Sequence, residues 1–482
     1  MPTVKQLSQT HPDYRKECLE VWEALYKGGE EWHERVDHFL PRNPQEPGDV
    51  WDARKKHAAY INDAAPIVDL MVAWLFSAPP TVEGLPGSGV SEGWETDVDR
   101  AGLSFASYFR DVITDAMRDR VAYTWVNLPP APAAGYPDRQ AQELAGGNRA
   151  YLLDLDAEQV INWGDDAEGN LAWLVVKDCV RRQDDALADA VEVHRWTVID
   201  RTRIRRWEWT PRTAPDGTVQ REPRPEEDVG APTVDIAHGF PSTPVVRLRL
   251  PAGLHVLGKI EDVCTALARA DNDLGWALHR GAHELMVIRS DDPASPPVLG
   301  AGYYLTIGPK DSVDYASPTG RVYDALAARV TDLREQAYRS VQQMAQSVSS
   351  KSTQARASAA SKTLDWQALA IMLDAYGEIL KVAIRRTLDL VSAVMLAPGQ
   401  LTVAGLDGWS EEDLNEILSN ASLAVPLVPS PTFKREVAKR IARTALPDLD
   451  ESLSKAIEGE LDAEAFTDPA AYVPPPFTPG AA

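Results

Sequence analysis

The chain has 482 residues, a length that predicts about three modules, and it carries 72 acidic residues against 49 lysines and arginines, a formal net charge of -23. A surface this acidic repels phosphate, which excludes a protein that grips nucleic acid over its whole surface and leaves only local contact. The three cysteines are widely spaced and form no CxxC pair, so neither a disulfide framework nor a zinc site is indicated, and a reducing compartment fits.

The first quarter of the chain has helical periodicity. Apolar side chains at three- and four-residue spacing predict helices at 14–26, 51–76 and 105–120, and Pro66 is expected to kink or divide the second of them. The pattern then changes to short runs rich in Val, Ile, Trp and Tyr between turn signals, which predict an antiparallel β-rich region. Its strands are expected at 121–128, 150–155, 159–163, 171–181, 191–200, 204–210 and 244–250.

A stalk with a tip is predicted next. Apolar residues at four-three spacing over 256–285 predict a long helix that leaves the β-rich region. Residues 286–320 contain several prolines and glycines and predict a small compact β module, with strands near 284–288 and 303–307. Another helical pattern begins near Arg321, so two long helices flank the small insertion.

A serine-rich interruption separates that returning helix from a further long helix that ends near 391, and a loop or kink is predicted at 347–358. No Asp or Glu occurs from 336 to 364, where the overall composition would place about four, yet Arg339, Lys351, Arg356 and Lys362 all lie inside this window. One interpretation is a solvated turn with basic side chains on its surface. The other is a mobile loop that faces a polyanion, because a few positive charges give weak, salt-sensitive contact with phosphates.

The C-terminal part has shorter helical patterns at 410–418, 431–445 and 449–461, followed by a proline-rich tail at 470–482 that is expected to be disordered. The N-terminus has no signal-like apolar segment and no stretch is long enough to span a bilayer, so export and membrane anchoring are not expected.

Catalytic and metal-binding motifs are weak. Residues 89–93 match GxSxG but lie in a Pro/Gly loop without the strand and helix that a nucleophile elbow needs. The HExxH motif and the phosphate-binding loop are absent from the sequence. Asp271-Asn272-Asp273 lacks the glycine of a calcium loop and is interpreted as a solvated helix face. The 14 tryptophans are expected in the core or a subunit interface. Neither an enzyme nor a bound metal or cofactor is therefore predicted.

Three local patterns and the order of the elements indicate a family. The patterns are Arg54 with Tyr60-Ile61-Asn62, Val160-Ile161-Asn162-Trp163 followed by a turn and the strand at 171–176, and His-Gly-Phe-Pro-Ser-Thr-Pro-Val-Val at 238–246. Together with the stalk, its tip and the serine-rich interruption before a long helix, they resemble the portal proteins of tailed bacteriophages.

The resemblance implies an α+β fold with long stem and wing helices, an antiparallel β-rich wing region, a small α/β clip and a helical crown. By position, the parts would be the wing at 1–253, the stem at 254–282 and 321–346, the clip at 283–320, the tunnel loop at 347–358, the long wing helix at 359–396, the crown at 397–469 and the disordered tail at 470–482.

The resemblance also implies a homo-oligomeric ring of about twelve subunits at the portal vertex of a virion, assembled in the host cytoplasm, with double-stranded DNA passing non-specifically through its channel. The major capsid protein, the terminase large subunit and a head-tail connector would be partners. The DNA-facing tunnel-loop residues would be Ser347, Ser349, Ser350, Lys351, Ser352, Thr353, Gln354 and Arg356, with Arg339 and Lys362 as further channel charges. Two alternatives stay open, an adaptor or scaffold protein without a DNA channel, and a hydrolase that uses the Trp-rich β region.

Overall fold

The computed structural model describes residues 1–83, 94–129, 137–138, 142, 147, 149–183, 185, 189–213, 219–281, 285–289, 312–316, 321–348, 359–395, 402–406, 409, 428, 430–445, 457 and 459–461. The chain divides into two compact units, residues 1–409 and 410–482. The GxSxG match, the strand predicted at 303–307, the helix predicted at 410–418 and the proline-rich tail lie outside the described residues. The helix predicted at 449–461 is described only at 457 and 459–461, which are helical.

Short helices form the N-terminal part of the first unit. They are α1 (Val4–Leu7), α2 (Lys16–Lys27), α3 (Gly29–Glu34), α4 (Val36–Phe39), α5 (Gly48–His57), α6 (Ala64–Leu75) and α7 (Phe105–Asp119). Gly28 ends α2 with φ of 65°, a conformation that glycine adopts without strain. The helix predicted at 51–76 is two helices. The division falls at 58–63, and Pro66 lies in the first turn of α6, where its missing N–H removes no helical hydrogen bond.

Antiparallel strands make two sheets in the region predicted to be β-rich. A five-stranded sheet has the order β10-β7-β6-β5-β4, and a three-stranded sheet has the order β11-β2-β3. Two-residue strands β8 and β9 form a separate pair, and β1 lies earlier in the chain. The bounds are β1 (Thr81–Glu83), β2 (Val121–Asn127), β3 (Tyr151–Leu155), β4 (Val160–Asp165), β5 (Leu171–Arg182), β6 (Val191–Asp200), β7 (Arg203–Trp209), β8 (Arg212–Thr213), β9 (Val219–Gln220), β10 (Val234–Ala237) and β11 (Val245–Arg249).

The segment at 238–246 joins the two sheets. His238 Nε2 donates to the Asp200 carbonyl at 2.9 Å, at the end of β6, and the Thr243 hydroxyl donates to the Ala172 carbonyl at 2.8 Å in β5. Two residues later the chain enters β11, which pairs with β2 of the smaller sheet. The segment at 238–246 therefore connects the two sheets and is hydrogen-bonded to the larger one.

Two long helices and a short hairpin follow. Helix α8 (Val256–Gly281) leads to β12 (Leu285–Arg289), which pairs antiparallel with β13 (Ser312–Ala316), and α9 (Arg321–Val348) follows. The predicted helices and the strand near 284–288 are confirmed. Strand β13 was not predicted, although Val313 and Tyr315 alternate with polar residues in the manner of a half-buried strand.

The next helix, α10 (Ala359–Met395), crosses the main core of the first unit. It contacts α6, α9 and the strands β2 and β11 of the smaller sheet, and its buried residues belong to the same core as α7 and the start of α8. These buried residues include Met372, Leu373, Tyr376, Leu380, Ile384 and Leu388. After it, β14 (Thr402–Ala404) pairs with β1, and Leu406 and Trp409 are buried in the same core. The second unit, 410–482, contains α11 (Pro431–Ala445), and the crown bounds of 397–469 stay a prediction.

Tryptophans fill much of the interior, as expected from the sequence. Trp32 stacks on Phe39 and Tyr60 within the helical part, with ring centroids 5.4 Å apart in both pairs. Trp196 and Trp209 are buried where α1 covers the five-stranded sheet, and the Trp196 indole donates to the Ser8 hydroxyl at 3.0 Å. Trp32, Trp196 and Trp209 therefore serve to pack the interior.

Gly377 of α10 lies close to Leu406 and Trp409, so a methyl group added at this position should destabilise the protein. A Cβ at Gly377 would lie 2.4 Å from the Leu406 carbonyl oxygen and 2.8 Å from the Trp409 ring, so G377A should lower the free energy of unfolding by about 1 to 3 kcal/mol. In the matched control G275A, a Cβ meets nothing within 4 Å, and the change should stabilise the helix by up to about 1 kcal/mol. Urea unfolding measures both, and equal stabilities for the two variants would contradict the packing of Leu406 and Trp409 on α10.

Candidate nucleic-acid interface

The residues predicted to face DNA belong to the junction between α9 and α10. Ser347 lies in the last turn of α9 and Lys362 in the first turn of α10, so the loop begins no earlier than 349 rather than at 347. The other predicted loop residues lie outside the described part of the chain, namely Ser349, Ser350, Lys351, Ser352, Thr353, Gln354 and Arg356. The helices on either side are confirmed, and the role of the loop stays a prediction.

Arg339 is the predicted channel charge whose surroundings are described. It is exposed on α9, and its Nη2 lies 2.7 Å from the Glu335 carboxylate one helical turn earlier. Glu335 lies just outside the acid-free window of 336–364, so counting charges within the window overstated the local positive charge. An exposed pair of this kind contributes only about 0 to 1 kcal/mol and is screened by salt, so Arg339 remains able to exchange partners.

Helix α9 is held against α8 along a narrow stripe. Val330 and Leu333 are buried against Leu267 and Ala270 of α8, and Ala337 reaches the main core. The remaining described positions of α9 are mostly exposed. Helix α9 also contacts α10, and Val341 packs against the main core. Between 321 and 341, most of the remaining side chains of α9 are exposed and available to contact something else.

Ion pairs made by Arg334 hold α9 against the start of α6 and against α8. The Arg334 Nε donates to both oxygens of Asp63, each at 3.1 Å, and its Nη2 lies 3.8 Å from Asp271 of α8. Asp63 immediately precedes α6, so one arginine connects α9 to both α6 and α8. Sequence reasoning missed this joint because the partner of Arg334 lies far away in the chain.

The Asp271-Asn272-Asp273 run is only partly solvated, which corrects the interpretation from sequence, because Asp273 is exposed but Asn272 is not. Asn272 is buried, its Oδ1 accepts from the Ala59 N–H at 2.9 Å, and its Nδ2 donates to the Ala59 carbonyl at 2.8 Å. These two bonds satisfy the backbone of the segment between α5 and α6, which lies outside both helices. In the sequence, the available signal was one polar residue, Asn272, on an otherwise apolar helix face. Its partner Ala59 is distant in sequence, so the hydrogen bonds between them could not be predicted.

Arg54, one of the residues that carries the family resemblance, also has a structural role. It is buried, and its guanidinium donates to both Glu46 oxygens, at 3.0 Å and 2.9 Å, and to the Pro41 carbonyl at 3.1 Å. The Arg54 contact holds the pKa of Glu46 below its usual range. The bidentate pair closes the proline-rich turn at 41–47 onto α5, and the Arg54 Nη1 also lies 3.9 Å from Asp273 of α8.

A group of carboxyls lies at the C-terminal end of α7, where Asp119 is buried, Asp115 is half-buried and Asp154 of β3 is exposed. The Arg118 guanidinium contacts Asp115 at 3.0 Å and Asp119 at 2.6 Å, and Asp154 shares a hydrogen bond with Asp115. Desolvation raises the pKa of Asp115 to about 7 and that of Asp154 to about 6; Asp154 raises the pKa of Asp115 further, whereas the hydrogen bond with Asp115 lowers that of Asp154. Asp115 and Asp154 therefore hold a shared proton at a pH where aspartates of ordinary pKa are ionised.

The described part of the chain offers no alternative site for metal chemistry. Across the described residues, no three His, Cys, Asp or Glu side chains are grouped so that they could hold a metal ion. The helices that the structure describes also include none that is long and apolar enough to cross a membrane.

Comparison with known proteins gives remote structural similarity. No protein-family model and no curated protein matches this sequence. A chain from the neck of an empty gene transfer agent (GTA) particle computed with C6 symmetry is 12% identical, with 87% of this chain and 96% of that chain covered and a TM-score of 0.38. A chain from the virion of a native GTA particle is 13% identical, with 89% and 98% covered and a TM-score of 0.35. Similarity at this level does not define a common fold, so the function is inferred from the elements of this chain.

The shared proton predicts how stability depends on pH. Because the folded-state pKa values of Asp115 and Asp154 lie above their unfolded values, the free energy of unfolding should fall as pH rises from about 4 to 7. D154N keeps the hydrogen bond without a titrating group, so it should stabilise the protein at pH 8 relative to the unaltered chain, by less at pH 5, and should weaken the pH dependence between these values; solvent screening at the exposed Asp154 keeps the effect small. Thermal unfolding across this range measures the effect, with D262N, at an exposed position of α8, as the control. A parallel pH dependence in D154N and the unaltered chain would refute the shared proton.

Proposed function

We propose that this chain is the subunit of a bacteriophage-type portal, a ring at one vertex of a virion capsid through which double-stranded DNA is packaged and ejected. The observation that carries the proposal is the antiparallel pair of α8 and α9, with the β12–β13 hairpin between them and the long α10 after them. In the order of the elements that the family resemblance implies, these are the stem, the clip and the long wing helix.

A ring requires surfaces that a single chain leaves uncovered, and the stem pair has them. Leu278 of α8 is 49% exposed, and on α9 Val322 is 55% and Tyr338 43% exposed. Because α9 buries one narrow stripe within its own chain, a neighbouring subunit would cover the rest. A head-to-tail contact of this kind, repeated around an axis, produces a closed ring.

The charge distribution fits a conduit that lets DNA slide. An acidic channel wall disfavours tight binding, while a loop that carries Lys351 and Arg356 gives sparse contacts to phosphates without reading the sequence. Arg339, already paired with Glu335, would contribute less than the loop cations. The proposed role is structural, and DNA movement would be driven by a separate motor.

The proposed partners follow from this role. The terminase large subunit and, later, a head-tail connector would dock at the clip around β12 and β13, and the major capsid protein would surround the wing. The protein would assemble in the host cytoplasm and remain in the virion. An adaptor or scaffold ring without DNA in its channel is the nearest competing role.

Ring formation is tested by negative-stain electron microscopy together with native mass. We expect a ring with a central channel and a mass near about twelve times the 52.9 kDa of one chain. L278E combined with Y338E places charges at two exposed apolar positions of the stem and should weaken assembly by about tenfold or more. I236E, at an exposed position of β10 away from the stem, is the matched control. Loss of assembly in the control but not in the stem variant would contradict the proposed interface.

DNA contact is tested by the salt dependence of binding. Each phosphate contact changes the slope of log K against log salt concentration by about 0.9, so K351Q with R356Q should lower both the affinity and the slope. The control K177Q removes an exposed charge from β5 and should leave the slope unchanged. A slope that is unaffected in the loop variant would reject Lys351 and Arg356 as phosphate-contacting residues, and a ring that binds no DNA at low salt would favour the adaptor role.

A further inference from the structure

A cavity of about 100 Å³ lies where the smaller sheet meets α2 and β4. In the β2–β11 pair, Val121 is opposite Arg249 and Tyr123 is opposite Arg247. Since successive side chains of a strand alternate between faces, these four residues share the face of the sheet that the cavity occupies. The other walls are largely apolar and are formed by Tyr14, Leu19, Trp22, Ala157, Val160 and Trp163.

Two of the charged residues that line the cavity are already neutralised. Asp119 accepts from the Nε and Nη2 of Arg118, and Arg247 lies 3.1 Å from the Asp165 carboxylate. A charge with a close partner of opposite sign has less to gain from a ligand. The polarity of the cavity therefore depends on the remaining charges.

Three further arginines line the cavity, and within the described residues none of them has a carboxylate partner. Arg15 donates to the Pro12 carbonyl at 3.0 Å and Arg120 to the Leu250 carbonyl at 3.3 Å, while Arg249 is exposed. Asp13 is the acidic residue at the cavity that opposes them. In a chain with 72 acidic residues against 49 lysines and arginines, such an excess of positive charge favours an anion at this place.

Tyr123 gives an independent indication of a ligand. Its side chain is only 2% exposed and lines the cavity, and its hydroxyl makes no hydrogen bond within the part of the chain that the structure describes. The hydroxyl is therefore a donor available to an acceptor placed in the cavity. Arg120, which also lines the cavity, is the C-cap of α7 in the left-handed conformation that commonly ends a helix, so its backbone is fixed by the end of α7.

We propose that this cavity binds a carboxylate with a short apolar body. The carboxylate would contact Arg15, Arg120 and Arg249 and accept from the Tyr123 hydroxyl, while the apolar body would lie against Trp22 and the other apolar walls. Arginine binds carboxylates in a bidentate manner. A free phosphate would be disfavoured, because it is strongly hydrated and gains nothing from apolar walls.

Two sources would supply such a carboxylate. One is a glutamate or aspartate side chain of a neighbouring copy of this acidic chain, and the other is a free small carboxylate. The site is independent of the proposed DNA channel, because it lies on the β region rather than on the stem.

The test uses butyrate as the probe and butyramide, which has the same shape without the charge, as its control. Ligand-observed saturation-transfer NMR and calorimetry on the full chain should show butyrate binding that butyramide does not displace. R15Q with R249Q, both at exposed positions, should raise the Kd for butyrate by about tenfold, and Y123F by about threefold to tenfold. R181Q, an exposed arginine of β5 away from the cavity, should leave the Kd unchanged.

Native mass spectrometry distinguishes the two sources. If a neighbouring copy supplies the carboxylate, butyrate will bind the dissociated subunit but not the assembled ring, and R15Q with R249Q will weaken assembly. If a free carboxylate is the ligand, the ring will bind butyrate and assembly will be unchanged. Equal binding of butyrate and butyramide, tighter binding of inorganic phosphate, or no effect of the arginine substitutions on either binding or assembly would overturn the proposal. Butyrate binding by a chain that forms no ring would support the site while rejecting the portal function.

Discussion

The packing of α10 against the start of α8 is the interaction on which the rest of the first unit depends. Tyr376 is fully buried, and its hydroxyl donates to the Leu254 carbonyl at 2.5 Å, immediately before α8 begins. A buried carbonyl left without a donor would cost about 1 to 3 kcal/mol, so this bond favours one position for the start of α8. A helix that lies more than a hundred residues later in the chain therefore helps to position the start of α8, together with the bond of His255 to the Arg118 carbonyl and that of Trp22 to Glu261.

The two stem helices differ in how firmly the chain holds them. Helix α8 is fixed at its start by the main core and further along by Asn272, whereas the first part of α9 is held by a narrow stripe and by Arg334, and its later part by contact with α10. Arg334 is partly exposed, and an ion pair in such a position orients two elements more than it stabilises them. The free sides of α9 therefore offer an assembly surface without loss of the fold of the single chain, and in the proposed ring the neighbouring subunit adds the stabilisation that α9 lacks.

Periodicity predicted most of the fold, because apolar spacing depends only on residues close in sequence. The bounds of α7, β5, β6 and α8 were predicted to within a few residues for this reason. The β1–β14 pair, the Asn272 bonds and the Arg334 joint were not predicted, since each joins residues far apart in the chain and leaves little local signal. The candidate site was predictable only as a position between two helices, and the cavity beside Tyr123 required the register of β2 and β11, which the sequence alone does not define.

Two concentrations of positive charge in this acidic chain differ in their surroundings, and the difference decides what each can bind. At about 4 Å, two unit charges attract with about 1 kcal/mol in water but about 4 kcal/mol at the effective dielectric constant near a protein surface. In the proposed channel, Lys351 and Arg356 would act in the first regime, where contacts to phosphate are brief and easily screened. At the cavity, Arg15 and Arg249 are exposed as well, so a bound carboxylate would also need the apolar contact that Trp22 and its neighbours offer. The proposed difference between the two sites is therefore the apolar wall of the cavity rather than the number of charges.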